Sequence, residues 1–413
     1  MSRIVIVGGG AAGFFAALAC AEASARSKTA PEIVILERGA RFLDKVRISG
    51  GGRCNVTHAC YEARDLAAHY PRGERALIGA FKRFQPSDTV DWFAARGVAL
   101  KTEADGRMFP VTDSSETIID CFLREARAAG IKMWLGCGAD KIAVRPEGAG
   151  FDLTLSNGET LGCDRLLVAC GGCRPKESGE LLAALGHTLE PPVPSLFTFH
   201  IDAPWLRQLA GVSVEEVEAS VAGTKLRQRG PFLATHWGAS GPVILRLSAW
   251  GARVLHGMDY RFVLQINWLP GQTQDAIIAE LQSRRDFQAA ASIVKFPIRP
   301  IPARLWEQLL LAAQIEPGLR WGSLPRPALH RLAQQLVRTE LQVTRKSTNK
   351  AEFVTCGGVR LSEVDFKTME SRIRPGLYFA GEVLDIDGIT GGFNFQAAWT
   401  TAWIAGNAMA AEA

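Results

Sequence analysis

The sequence is most easily read first by what it lacks. Beyond its first two dozen residues it holds no apolar run approaching the ~18 residues of a membrane-crossing helix, so no transmembrane segment is expected. It has no block of about five or more like charges, which excludes a basic tail for nucleic acid. No His-x-x-x-His pair, Ser-His-Asp order or paired-carboxylate spacing rises above background, and no metal site is expected. Nine cysteines, an odd number in a long chain, do not read as a disulfide framework. They fit reduced thiols in the cytoplasm. Charge of neither sign dominates: 47 Lys and Arg against 42 Asp and Glu leave +5. That balance permits a polyanionic partner without indicating one.

What is abundant is glycine, 41 of 413 residues, against an ordinary share of about 7%. Glycine without a collagen repeat marks places where the backbone turns sharply or approaches a ligand. With 47% apolar and 22% charged residues the chain is otherwise globular, and its length suggests two or three domains.

The first glycine cluster is the most informative. The run Arg3–Val7 predicts a buried parallel strand, and Phe14–Glu22 a helix. Between them lies Gly8-Gly9-Gly10-Ala11-Ala12-Gly13, a G-x-G-x-x-G in the strand–turn–helix context that makes this pattern specific. Gly8 serves the tight turn, Gly10 the approach of a pyrophosphate, and Gly13 the packing of helix on strand. A second strand, Ile33–Leu36, ends at Glu37 and Arg38, and an acid there suits the ribose hydroxyls of an adenosine. The same segment imitates a signal peptide, with Arg3, an apolar run and Ala23-Ser24-Ala25, but the glycines would break a signal's core.

A second dinucleotide unit does not follow; Gly136/Gly138 and Gly148/Gly150 lack the helix and spacing. A matching segment near the C-terminus, Gly376 through Gly381-Glu382, predicts a strand ending in Gly-acid. Gly388, Gly391 and Gly392 then lead into an apolar helix from Phe393 to Ala405. One dinucleotide unit at the start and this segment at the end point to FAD, with the positive end of the last helix aimed at the flavin. Between them, Lys141–Val144, Phe151–Leu155 and Glu159–Cys163 read as a β-meander turning at Asn157-Gly158. The strand Arg165–Ala169 returns to Cys170-Gly171-Gly172-Cys173.

These motifs carry a family resemblance. Gly8–Gly13, the loop Ile48–Thr57 (I-S-G-G-G-R-C-N-V-T), Gly106–Pro110, Thr235–Pro242, Val354–Val359, Gly381–Gly388 and Asn394-Phe395-Gln396 together resemble the BaiN/YhiN-like flavoproteins, in the same order and over essentially the whole chain. The resemblance implies an α/β, Rossmann-like FAD-binding domain of the glutathione-reductase type, formed by both chain ends. A β-barrel-like domain and a small helical domain are inserted into it. The expected parts are 1–190 and 353–413 for FAD, 191–270 for the β-rich insert, 271–338 for the helical one and 339–352 for a β-rich return, with Pro191-Pro192-Val193-Pro194 as a linker. Two departures stand out: Cys170-Gly171-Gly172-Cys173 replaces the commoner A-T-G-G, and His58 stands where asparagine is frequent.

The expected FAD contacts are Gly8, Gly10, Ala11, Ala12, Gly13, Glu37, Arg38, Gly51, Gly52, Arg53, Cys54, Asn55, Ala169, Gly171, Gly381, Glu382, Gly391, Gly392, Phe393 and Asn394. Arg53 either pairs with phosphate or braces its loop. Asp385 and Asp387 are read as fixing the turn before the last helix. His236 is the first candidate for a proton donor, with Cys54 and Cys356 behind it, although most free cysteines are small buried hydrophobes. Cys170-x-x-Cys173 is read as structural.

The expected activity is hydride transfer. NAD(P)H visits as a transient co-substrate to reduce FAD, and the reduced flavin passes hydride to an activated C=C bond of an enone-like small molecule or of uridine in rRNA. Two alternatives stand beside it. One is an oxidase of a small amine or aminoketone using O2. The other is a flavin-bearing RNA-binding or assembly factor whose redox chemistry is incidental.

Overall fold

The structure, a computed structural model, describes residues 2–25, 30–146, 150–173, 178–347 and 354–411. Contacts divide the chain into two compact units, Met1–Ser195 with Asn349–Ala413, and Leu196–Thr348.

The β-branched run Arg3–Val7 lies inside a seven-stranded sheet. From one edge the order is Val364–Asp365, Glu370–Ser371, Leu377–Phe379, Arg165–Val168, Arg3–Val7, Glu32–Leu36 and Lys132–Trp134. From Leu377–Phe379 onward every pairing is parallel, with Ile4 opposite both Arg165 and Ile33. Both chain ends therefore build one sheet. The near-continuous apolar reading of Ile4–Ile6 and Ile33–Leu36 follows from burial on both faces.

On one face the first helix, Ala11–Ser24, packs along the last, Phe393–Ala411. A Cβ on Gly406 would stand 2.4 Å from the Ala16 carbonyl oxygen, so the two backbones meet closely there. Phe15, Trp92, Phe122 and Trp399 fill the space beside them, with Phe15 and Trp92 ring centroids 4.5 Å apart. The expected meander is present as Ala139–Val144, Phe151–Leu155 and Thr160–Cys163.

The proline-rich segment is not a linker. Leu189–Ser195 forms an antiparallel pair with Val354–Val359 inside the first unit, and the register shifts between Glu190 and Val193. In this two-stranded sheet Pro191 and Pro192, which have no N–H to donate, sit at the irregularity, where strands tolerate proline. The first unit ends after them, at Ser195.

The second unit is a closed six-stranded barrel in the order Phe199–Ile201, Gly238–Ser240, Arg227–Thr235, Ser213–Val221, Phe262–Asn267 and Thr339–Lys346. Alternate residues of Phe262–Asn267 point inward, as one-sided burial demands. The helices Gln274–Phe287, Ala303–Ala312 and Arg326–Val337 belong to this same unit, around Trp306 and Trp321. Thr339–Lys346, read from sequence as a β-rich return, is the strand that closes the barrel. The expected boundary at 352/353 lies outside the described residues. Among the described residues no helix is long and apolar enough to cross a membrane.

Candidate dinucleotide site at the strand ends of the first unit

At the end of Arg3–Val7 the three motif glycines are distinguished by what surrounds them. Gly8 has φ +119°, and a Cβ there would lie 2.3 Å from the Ala169 carbonyl oxygen, so the turn passes against the end of the neighbouring strand. A Cβ on Gly13 would lie 1.9 Å from the Gly8 carbonyl oxygen, which is how closely the helix packs on the turn. Gly10 is the opposite case, with nothing within 4 Å of a Cβ there. Its open side faces the N-terminus of the helix Ala11–Ser24, which has no side-chain cap and no acidic residue in its first turn. The first intrahelical bond runs from Phe14 N–H to the Gly10 carbonyl at 3.1 Å, so the amides of Ala11, Ala12 and Gly13 precede it. Such an end attracts a phosphate.

Glu37 is fixed by backbone: one carboxylate oxygen accepts from Gly9 N–H at 2.9 Å and the other from Gly39 N–H at 2.6 Å. Each oxygen keeps a lone pair for a hydroxyl. Arg38 instead reaches the Ala139 carbonyl and Asp140, both on the meander.

The loop after Asp44 winds through three left-handed glycines, Gly50, Gly51 and Gly52, and Cys54 follows at φ +59°. A Cβ on Gly51 or Gly52 would meet nothing within 4 Å, so both face open space. Arg53 braces this loop: its guanidinium is 2.7 Å from Glu103 and 4.0 Å from the centroid of the Phe109 ring. Cys54 is fully buried, and desolvation pushes its thiol up to about 12, against a smaller pull from Ser49. Cys356 is also fully buried, in the strand opposite Val193. Cys170 is exposed while Cys173 is buried, its sulfur 3.8 Å from the Ser178 hydroxyl.

The C-terminal half of the site closes on the N-terminal half. Gly381, at φ +76°, would place a Cβ 3.0 Å from that of Ala12. One Glu382 oxygen accepts from Lys45 Nζ at 2.8 Å and the other from Thr355 N–H at 2.7 Å. Gly171 lies beside this pair. Asn394 grips Gly388 twice, accepting from its N–H at 2.9 Å and donating to its carbonyl at 3.0 Å. In the amide orientation that satisfies both partners, the Asn55 oxygen accepts from Gly392 N–H at 3.0 Å. Asp387, wholly buried, is held by both arms of Arg72 and by the Ser195 hydroxyl at 2.7 Å.

Gln396, the last residue of the Asn394-Phe395-Gln396 motif and absent from the expected contacts, centres a buried network. Its carbonyl oxygen accepts from Thr57 at 2.6 Å and Thr89 at 2.9 Å, and its amide donates to Thr400 at 3.1 Å. A glutamine with two threonines in a largely apolar helix is the signal the sequence offers.

The expected FAD contacts, with Cys54 and Cys356, thus fall in the first unit, whereas the whole Thr235–Pro242 motif falls in the second. His236 belongs to the second, exposed in the turn between Arg227–Thr235 and Gly238–Ser240. No cluster of three or more metal-ligating side chains occurs among the described residues.

A parallel sheet with a glycine turn, an open helix N-terminus and an acid at the next strand's end defines a dinucleotide-binding protein. The chain belongs to the HI0933-like family: it matches the HI0933-like protein Rossmann domain over residues 2–408, and the family is one of FAD-dependent oxidoreductases. It is 29% identical to a 3-dehydro-bile acid delta(4,6)-reductase of Clostridium scindens, covering 99% of both chains. It is 30% identical to the ribosomal RNA dihydrouridine synthase of Escherichia coli, over 97% of this chain and 96% of that one. Among solved structures, 3-ketosteroid delta1-dehydrogenase from Sterolibacterium denitrificans shares the fold at a TM-score of 0.53 and 12% identity, with each chain covered to 100%.

The residues fit FAD. The open space at Gly10 and the uncapped helix suit a pyrophosphate, and the Glu37 carboxylate suits a ribose.

Proposed function

We propose that the protein reduces a carbon–carbon double bond conjugated to a carbonyl, and that the bond belongs to uridine in RNA. The names of two relatives describe such reductions, one on a bile acid and one in ribosomal RNA. Bound FAD supplies the hydride. The chain's own residues hold it: Ala11–Gly13 amides receive phosphate, Glu37 takes the ribose, and Glu382 and Asn55 fix the loops that flank it. NAD(P)H brings electrons in alternation with substrate, because the one dinucleotide unit is taken by FAD and both must then use the same flavin face. His236 is kept as the candidate proton donor in this reading, as an imidazole can serve general acid catalysis. Cys54 and Cys356 are too deeply buried to take that part.

The observation that carries RNA over a steroid-like molecule is where the charge lies. Residues 196–348 hold 18 Lys and Arg against 11 Asp and Glu, a net +7, while the rest of the chain holds 29 against 31, a net −2. All of the positive excess is in the inserted unit, the pattern expected where phosphates dominate binding. Nine cysteines, an odd number that fits reduced thiols better than a disulfide framework, support a cytoplasmic setting for this work.

Anaerobic stopped-flow spectra test the reading. Bleaching by NADH or NADPH, followed by reoxidation on uridine-containing RNA and loss of that RNA's uridine absorbance, is the expected result. Bleaching only by amines, with peroxide formed on reoxidation, supports an oxidase. A flavin inert to all of these, beside salt-sensitive RNA retention, makes the protein an RNA-binding factor.

A further inference from the structure

The glycines that precede the last helix adopt a backbone that other residues rarely take, and side chains hold them there. Gly391 and Gly392 have φ of +127° and +95°. Three side chains anchor them and the residue after: His58 at the Gly391 carbonyl, Asn55 at Gly392 N–H, and Tyr70 at the Phe393 carbonyl, 2.5 Å from its hydroxyl. We propose that His58 is a positioning residue for FAD, setting the lead-in Gly391–Phe393 through both a hydrogen bond and a ring stack. The proposal rests on FAD binding alone and not on which substrate is reduced.

The geometry is specific. His58 ends the short strand Thr57–His58, paired with Arg107 and Met108. Its Nδ1 is 2.9 Å from the Gly391 oxygen. A carbonyl only accepts, so Nδ1 carries the proton and the tautomer is set. Its ring stacks on Phe393 at a centroid distance of 4.6 Å and 26°. His69 stacks on the same Phe393 ring at 4.3 Å and 9°. The first side chain of the helix is thereby held by two imidazoles from different segments. Room for His58 is made by Gly106, where a Cβ would stand 2.6 Å from Nε2.

His58 is also the one imidazole among the three anchors. The groups that act on it are His69 beside the Phe393 ring, and Asp105 and Arg107 from the turn beside it. Burial is the largest influence and keeps the imidazole below its ordinary range, so it is neutral at pH 7, its Nδ1–H donating to the Gly391 carbonyl. Protonation would put a positive charge next to a helix N-terminus that already carries one sign of the dipole. A reduced, anionic flavin held there is favoured by that charge, and the flavin potential rises as pH falls through the imidazole's titration.

Two variants of the full FAD-loaded chain separate the contributions. His58→Asn keeps an N–H donor for Gly391 and loses the stack; His58→Phe keeps the stack and loses the donor. FAD release, the visible flavin spectrum and the flavin midpoint potential from about pH 5 to 8 are measured beside the melting temperature of the FAD-free proteins. Wild-type retention of FAD, recorded first, tests the cofactor reading separately. The expected result is an FAD Kd raised about tenfold in His58→Phe and partly rescued in His58→Asn. A pH break in the wild-type potential should be absent from both variants. Unchanged Kd, spectrum and pH break in His58→Phe would overturn the proposal. So would equal FAD loss in both variants accompanied by a matching fall in the FAD-free melting temperature, which marks a merely structural residue.

Discussion

The Gly8 carbonyl oxygen lies 1.9 Å from where a Cβ on Gly13 would stand, whereas Gly10, between them, has nothing within 4 Å. Two glycines of one motif are therefore required for opposite reasons, one by the protein and one by the ligand. Gly13→Ala should destabilise the FAD-free protein by roughly 1–3 kcal/mol, the cost of overpacking. Gly10→Val should leave that stability within about 0.5 kcal/mol and abolish FAD retention. Urea unfolding of the two FAD-free proteins, with the yellow colour of each preparation, checks both. A Gly10→Val protein that purifies fully yellow would refute the assignment of this turn to pyrophosphate.

Arg72 and Asp387 form a pair with side chains only 11% and 0% exposed, just before the glycine lead-in. Removing one partner strands the other charge, so Asp387→Ala should cost about 3–5 kcal/mol. Replacing both, as Arg72→Met with Asp387→Leu, should recover a large part of that loss. Denaturant midpoints of the two proteins decide it.

Thiol reactivity should follow burial. Cys170, accessible at the surface although desolvation pushes its thiol up to about 11, should react first with a disulfide reagent in the native protein, and Cys60, half-buried, more slowly. Cys54, with its thiol pushed up to about 12, should react only after unfolding. Cys54→Ala should accordingly keep hydride transfer within a few-fold of wild type. Mass mapping of labelled peptides gives the order, and early labelling of Cys54 would reopen its catalytic reading.

Acid should weaken the fold through its buried imidazoles. His187 lies between Glu363 and Ser371, at 3.0 and 2.8 Å, and desolvation outweighs the pull of Glu363 to lower its pKa; His58 is lowered too, again chiefly by burial. The unfolded chain protonates its imidazoles near pH ~6.5 while these remain neutral in the fold. Stability is then complete above that value and declines as pH falls through it toward the lower native values. Urea midpoints across this range should fall, and less steeply in His187→Asn. A flat profile would contradict the burial of these rings.

How much was legible follows from locality. The turn Gly8–Gly13, the acid at Glu37 and the meander around Asn157-Gly158 are set by neighbours within a few residues, and spacing reveals them. The proline segment was misread because a run such as Pro191–Pro194 looks the same in a linker and in a strand; only its partner, Val354–Val359, makes it a strand. Arg53 was undecided between phosphate and brace for the same reason: Glu103 and Phe109 come to it through the loop's path. Asn394, expected at the cofactor, spends its amide on Gly388. The role of His58 was out of reach, since Gly391 and Phe393 lie more than three hundred residues away in the chain.

By itself, the sequence determined the dinucleotide turn, the family and the use of both chain ends, because glycine placement and strand periodicity are local consequences of backbone sterics. Tertiary structure alone decided which glycines face protein and which face open space, which charges are buried in pairs, and which thiols are closed off. Those properties depend on what a distant segment brings to within a few ångströms, and no local pattern encodes that distance.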